Sequence, residues 1–360
     1  MHLVGEAIQS VINQSFQNWE LIVVDDGSID DTMSIVARFS DARIRYIYQE
    51  NRKLPGARNT GIRASKGEYV AFLDSDDRFL PGKLALQLDA LSQHPEYGLV
   101  ASGWTEIDIE NNFLRTHRPW RLGRELELMD WLHGCPFIPS SVLVRREGLL
   151  NIGLFDEKQH YVEDWDLWLR LSYAGCRMAW VPGIVCLRTV HEGNMTQNVD
   201  QMTNGRLRMF DKFFAQSGLP VALLQQRDRI FAGTQLNAAV RTYGAGADGI
   251  RHLIKAAQLD PTLIDGQPPV MLQAIASSAL TKQVPNVDQY IMNMCLALPE
   301  VSPQLARTPR QMRAMIQAVA AFDEKAQGRH MHARLSAAQA ILMDTAWLKN
   351  RGLIKILIGL

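Results

Sequence analysis

Three short stretches of this 360-residue chain gather carboxylates at spacings that suit chemistry: Asp25-Asp26 in LIVVDDGS, Asp74-Ser75-Asp76 in AFLDSDD, and Glu163-Asp164 at the head of EDWDLWLRL. Asp-x-Asp at the end of a strand sets two carboxylates on one side of a turn, close enough to share a divalent cation with a ligand's phosphates. The same acids also serve ordinary turns and helix caps. Glu163 and Asp164 have such a reading of their own, because acids in a first helical turn complement the helix dipole and accept from free N–H groups. Trp165 and Trp168 read as core or pocket wall. Further on, LRTVHEGNMT places Arg188 and His191 in a loop.

These residues need elements to hold them. Leu21 to Val24 form an apolar run without polar alternation, which suits a strand covered on both faces. Asp25 and Asp26 then fall at its carboxyl end, where open α/β sheets bind ligands. EYVAFLDSDD reads as another apolar strand ending in acids, YGLVASGWTEI and SSVLVRRE as further strands, and RMAWVP as a last one. Between them lie helical stripes: residues 3–12, SIDDTMSIVARF capped by Ser28 or Asp30, Leu84-Leu88-Leu91 after Pro81, a helix near 124–133, and EDWDLWLRLSYA closed by Gly175. This alternation predicts an α/β layer structure to about residue 200. Beyond it the pattern is helical throughout. AAVRTYGAGADGIRHLIKAAQLDP (238–261) has the shape of a tetratricopeptide-like hairpin, and 313–347 weakly repeats it.

Composition bounds the function. Thirty-eight basic and 38 acidic side chains cancel, so no overall field favours nucleic acid or an anionic membrane, and an anionic ligand must be met locally. Cys135, Cys176, Cys186 and Cys295 lack metal-site spacing and read as reduced thiols of a cytoplasmic protein. No leader is recognisable, and no apolar stretch approaches the roughly 20 residues of a membrane helix. The final GLIKILIGL is too short to span; it can dock on the protein or lie on a bilayer surface, and docking is the expectation.

In order and spacing, AIQSVINQSFQNWELIVVDDGSIDDT, GARNTGI, GEYVAFLDSDD, SSVLVRREGLLNIGLFDE, EDWDLWLRL and RTVHEGNMT together resemble the inverting, nucleotide-sugar-dependent glycosyltransferases of family two. The resemblance covers about residues 3–200. It implies a GT-A fold, with a mixed, mainly parallel sheet flanked by helices, followed by a helical region over 201–360. It also implies the roles. Asp25 and Asp26 would face the base and ribose; Asp74 and Asp76 would hold Mn²⁺ or Mg²⁺ against the diphosphate, with His191 joining the metal shell. Arg58 and Arg188 would lie near the diphosphate. Asp164 would be the general base, with Glu163 and Trp165 shaping the loop or the acceptor side.

The implied reaction moves a hexose, with UDP the expected nucleotide and GDP and dTDP open, to a hydroxyl of a saccharide or glycoconjugate. Assembly of a bacterial surface polysaccharide is the implied setting, in the cytoplasm and at the inner face of its membrane. Relatives begin with a strand that this chain lacks before its first helix. A vacant central slot in the sheet is therefore expected, and an upstream start in the gene is the preferred explanation. That gap leaves a second reading, a carbohydrate- or nucleotide-binding protein with little turnover. A nucleotidyltransferase is disfavoured by the lack of a glycine-rich phosphate loop with a lysine near the start.

Overall fold

The computed structural model describes residues 3–121, 123, 125–244, 249–281 and 284–359. The chain divides into two compact units, Met1–Asn198 and Val199–Leu360.

The first unit runs α1 (Leu3–Ile12), β1 (Leu21–Asp25), α2 (Thr32–Val36), β2 (Ile44–Tyr48), α3 (Lys53–Ala64), β3 (Tyr69–Val70), β4 (Arg78–Phe79), α4 (Lys83–Gln93), β5 (Tyr97–Ile107), β6 (Phe113–His117), β7 (Glu125–Leu126), α5 (Leu128–His133), β8 (Val142–Arg145), α6 (Arg146–Asn151), α7 (Glu163–Tyr173) and β9 (Arg177–Thr189). It is a mixed α/β structure with helices flanking the sheet. β1 and β2 pair in parallel from Leu21↔Ile44 to Asp25↔Tyr48. The larger sheet has the order β3-β8-β5-β9-β4, with β6 on β5 and β7 on β9. Its central strands bury Leu99, Val100, Ala101, Val142 and Cys186 almost completely, and α4 adds Leu91 to that core.

The sheet is mixed: the long β1–β2 and β5–β9 ladders are parallel, and the five shorter ones, made by short returning segments such as β4, β6 and β7, are antiparallel. It departs from expectation in two ways. First, β9 does not stop at Pro182. It continues to Thr189, passing the Pro-Gly pair where its register against β5 shifts between Ala101 and Gly103. Second, EYVAFLDSDD is ladder-paired only at Tyr69 and Val70. β1 pairs with β2 alone among the described residues, so the two sheets are not joined by a ladder.

The second unit is helical: α8 (Val199–Phe214), α9 (Val221–Leu224), α10 (Arg227–Gly244), α11 (Ile250–Leu259), α12 (Val270–Ala279), α13 (Val287–Val301), α14 (Pro309–Ala326), α15 (His330–Met343) and α16 (Arg351–Ile358). α10 and α11 form the hairpin read at 238–261, though part of its turn, residues 245–248, lies outside the described residues. Leu253, Met271, Ile275, Met294, Leu298 and Met312 are fully buried within this unit. In α16, Leu353 and Ile356 are buried against α14 and α15, so the described part of the final segment, residues 352–359, packs on its own unit. No helix among the described residues is long and apolar enough to cross a membrane.

Candidate active site

Arg58 sits at the centre of the carboxylates. It lies on α3, packed over the Phe155 ring at 5.5 Å, and only 8% of its side chain is exposed. One guanidinium nitrogen donates to Glu163 and the other to Asp74, each at 2.7 Å. The Asp-x-Asp turn and the head of α7 are thus held by one planar fork, 16 and 105 residues away in sequence. A buried guanidinium keeps its charge more firmly here because Asp74, Glu163 and Asp164 surround it, which outweighs the opposing effect of burial. This placement differs from the expectation that Arg58 meets the diphosphate: both of its ends are taken by carboxylates.

Asp164 follows Glu163 in the first turn of α7. Dense surroundings and the neighbouring Glu163 push its pKa up to about 7, against the pull of Arg58 and of the Trp165 N–H that donates to it at 2.8 Å. Near neutral pH such a carboxylate can both accept and release a proton, which suits a general base. The backbone that delivers it is strained. Tyr161 and Val162, immediately before α7, have φ of 61° and 54°. For non-glycine residues, and above all for a β-branched one, the left-handed region is costly and persists where surroundings impose it. Further along, Trp168 of α7 sits in an aromatic layer: Phe72 meets Phe155 and Trp168 at 5.5 and 6.1 Å, and Phe137 meets Trp168 and Trp180 at 5.6 and 5.8 Å. Trp165 belongs to the same layer. It is 4% exposed and its indole N–H donates to the Trp131 carbonyl at 2.7 Å, tying α7 to α5 rather than facing open space.

Asp76 points elsewhere from Asp74. Its Oδ2 lies 3.0 Å from His191 Nε2 and accepts from Asn194 Nδ2 at 3.1 Å. Two ligands at neighbouring corners of an octahedron, each about 2.1 Å from a small divalent cation, stand about 3 Å apart. The Asp76–His191 separation of 3.0 Å is that of a hydrogen bond, and it is also short enough for these two side chains to hold one small divalent cation between them. Asp74, bound to Arg58, is not part of that pair as it stands, and among the described residues no group of three acid, histidine or cysteine side chains converges on one point. Both nitrogens of His191 have protein neighbours: the Gly193 N–H donates to Nδ1 at 3.1 Å, and Asn194 Nδ2 lies 3.1 Å from Nε2.

Asp77 was not singled out from sequence, yet it is the buried member of the DSDD run. It is 3% exposed, accepting from Ser140 Oγ at 2.6 Å and from the Thr189 backbone N–H at 3.1 Å. Ser140 Oγ in turn lies 3.4 Å from the Asp74 N–H. Asp77 thus couples the acid turn to the end of β9, two residues before His191. Burial and the charges of Asp74 and Asp76 push its pKa up to about 7. Only its place beside Asp76 could have flagged it; its partners lie 63 and 112 residues away.

The first acid pair divides its work. Asp25 is 4% exposed, and accepts from the Tyr46 hydroxyl and the Ser28 N–H; those bonds hold its carboxyl below the ordinary range despite burial. Asp26 is the half-buried one, accepting from Gln49 Nε2 and the Arg52 N–H. Gly27 turns the chain with φ +85°, and a Cβ there would lie 3.2 Å from the Asn51 N. Arg188 is bound to Glu106 at 3.0 Å and donates to Thr196 Oγ1 at 3.3 Å, so it too has protein partners where a phosphate contact was expected.

Residues 2–153 match the model of glycosyl transferase family 2. In solved structures the chain is similar to Staphylococcus aureus TarS 1–349 in complex with UDP, with a TM-score of 0.54 and 18% identity over 80% of this chain and 85% of that one. It is also similar to the Pyrobaculum calidifontis mannosyltransferase PcManGT in complex with GDP-Man and Mn²⁺, with a TM-score of 0.52 and 19% identity over 83% and 84%. Among curated proteins, an uncharacterized glycosyltransferase of Rickettsia prowazekii is 35% identical over 46% of this chain and 53% of its own length. The Escherichia coli UDP-Glc:α-D-GlcNAc-diphosphoundecaprenol β-1,3-glucosyltransferase WfaP is 29% identical over 53% and 73%. The first unit thus resembles family 2 of the glycosyltransferases over residues 2–153 and shares the fold of these solved transferases. The chain spans about half the length of the Rickettsia relatives it matches first.

Proposed function

We propose that this protein is an inverting glycosyltransferase that moves a hexose from a nucleotide-diphosphate sugar to a hydroxyl of a saccharide or glycoconjugate. One observation carries the reading: a single buried guanidinium joins Asp74 of the acid turn to Glu163, the neighbour of Asp164, so the donor side and the base side share one wall. Asp164 accepts the proton of the acceptor hydroxyl while that oxygen bonds to the anomeric carbon. The bond from that carbon to the diphosphate oxygen breaks on the opposite face, and the nucleoside diphosphate leaves. One displacement with one base inverts the configuration, and positioned proton transfer contributes about 10²–10⁴ in rate. Asp76 and His191 would hold Mn²⁺ or Mg²⁺, which offsets charge building on the departing diphosphate. Asp26 is the more accessible of the first pair for base or ribose. Arg58 orients Asp74 and Glu163, and Asp77 fixes the turn beneath Asp76.

UDP is the favoured nucleotide, supported by the TarS complex and the WfaP name, while the GDP-Man complex keeps GDP in view. WfaP acts on a lipid-linked saccharide, which supports an acceptor of that class, a role in surface polysaccharide assembly, and action at the cytoplasmic face of a membrane. The test is hydrolysis and transfer across a panel of nucleotide sugars with Mn²⁺ or Mg²⁺, repeated with Asp164→Asn. Metal-dependent consumption of one donor is expected, lost by at least about 100-fold in the variant while donor binding is retained. Donor binding without consumption by the unaltered protein would instead assign a binding role, which the divided sheet favours.

A further inference from the structure

In the second unit, α14, α15 and α16 share a core of small residues: Ala318 and Ala321, Ala333, Ala337 and Ala340, with Leu353 and Ile356. α15 turns its alanines inward, yet its opposite side is also apolar. Met331, Leu335 and Leu342 are 76%, 59% and 75% exposed, and their spacing of four and seven residues sets them along one line of the helix. A helix apolar on both sides is ordinarily covered on both. Beside this line a groove of about 520 Å³ is lined by His330, Met331, Arg334, Leu335 and Leu357. Arg334, one of its lining residues, donates to the Leu357 carbonyl at 3.0 Å, and Ile358 stands 57% exposed at the end of α16.

Charge says what covers this face. In a chain with 38 basic and 38 acidic residues, positions 329–360 hold Arg329, Arg334, Lys349, Arg351 and Lys355 against Asp344 alone. All five cations are exposed. On α16 the helical period sets Arg351, Lys355 and Ile358 on the side away from buried Leu353 and Ile356. Exposed apolar side chains flanked by cations suit the boundary between acyl chains and headgroups of an anionic bilayer. A second copy suits it poorly, because a two-fold contact would set the same cations against themselves.

We propose that the α15–α16 face is a docking surface for a lipid bilayer with anionic headgroups. It stands apart from the transferase reading, since binding is measured without turnover. The experiment sediments the full-length chain with vesicles of phosphatidylcholine alone and with about 30% phosphatidylglycerol, comparing Met331→Gln/Leu335→Gln and Arg351→Glu/Lys355→Glu variants whose unfolding midpoints match the parent. Partition is expected to be at least about tenfold stronger on anionic vesicles, and to fall about tenfold or more in either variant. Equal partition on both vesicle types, no partition, or binding that both variants leave intact overturns the proposal. So does self-association in light scattering that Leu335→Gln abolishes, which assigns the face to a second copy, or retention of the face by an acidic protein but not by anionic vesicles.

Discussion

Replacing Arg58 by Met removes the guanidinium at the centre of the acids while keeping most of the aliphatic bulk. Glu163, with 6% of its side chain exposed, then has a buried charge without its cation, whereas Asp74, 34% exposed, can turn toward water. The cost therefore falls mainly on the Glu163 arm. Breaking a buried pair by removing one partner costs about 3–5 kcal/mol. For a unit of this size each kcal/mol lowers the unfolding midpoint by about 2–4 °C, so a fall of about 6–20 °C is expected at pH 8.

Catalysis offers a second reading of the same change. Arg58 holds down the pKa of Asp164, which stands at about 7. Its loss raises that value further, so less base is ionised at neutral pH and the acidic limb of the pH–rate profile moves to higher pH. Arg58→Lys, which keeps the charge but not the fork, should fall between. Scanning calorimetry at pH 8 and donor turnover across pH 6–9 provide the measurements. A midpoint within 2 °C of the parent at pH 8, or an unmoved acidic limb, would refute the reasoning.

Two further outcomes are expected. Asp77→Ala strands the Ser140 hydroxyl and the Thr189 N–H, which should cost about 1–3 kcal/mol for each buried group and weaken Mn²⁺ binding about 10–100-fold, read by thermal unfolding and paramagnetic titration. Lys83 is fully buried, donating to Gln87 Oε1 at 2.6 Å and to the Val142 carbonyl at 2.9 Å, and burial brings its pKa down to about 7. The unfolded chain keeps this proton to about pH 10.5 and the folded chain gives it up near 7, so this residue makes stability rise with pH across that window. Lys83→Met should flatten that rise in denaturant titrations at pH 7, 8.5 and 10; a slope that survives the substitution sinks the assignment.

What was legible in the sequence follows the range of the forces involved. β5 was read at its true bounds because Tyr97–Ile107 is one long run with a helix before it. The end of β9 was not, because Pro182-Gly183 is a local stop signal that two flanking strands override. The acids at 25–26, 74–76 and 163–164 are visible as types, and the 74 and 163 groups are joined through Arg58. Their separate fates were not visible. Asp74 goes to Arg58, Asp76 to His191, and Asp25 inward to Tyr46, choices made by partners 16, 115 and 21 residues distant. Asp77 and Asn194 escaped notice for the same reason.

The left-handed pair at Tyr161 and Val162 has a consequence for anyone who sets out to harden this protein against heat. Glycine or asparagine at 161 would relax the chain there, so selection for heat tolerance alone should collect such replacements early. Each favours the same left-handed path into α7 that the fold already imposes, so hardening at this position leaves the head of that helix where it is.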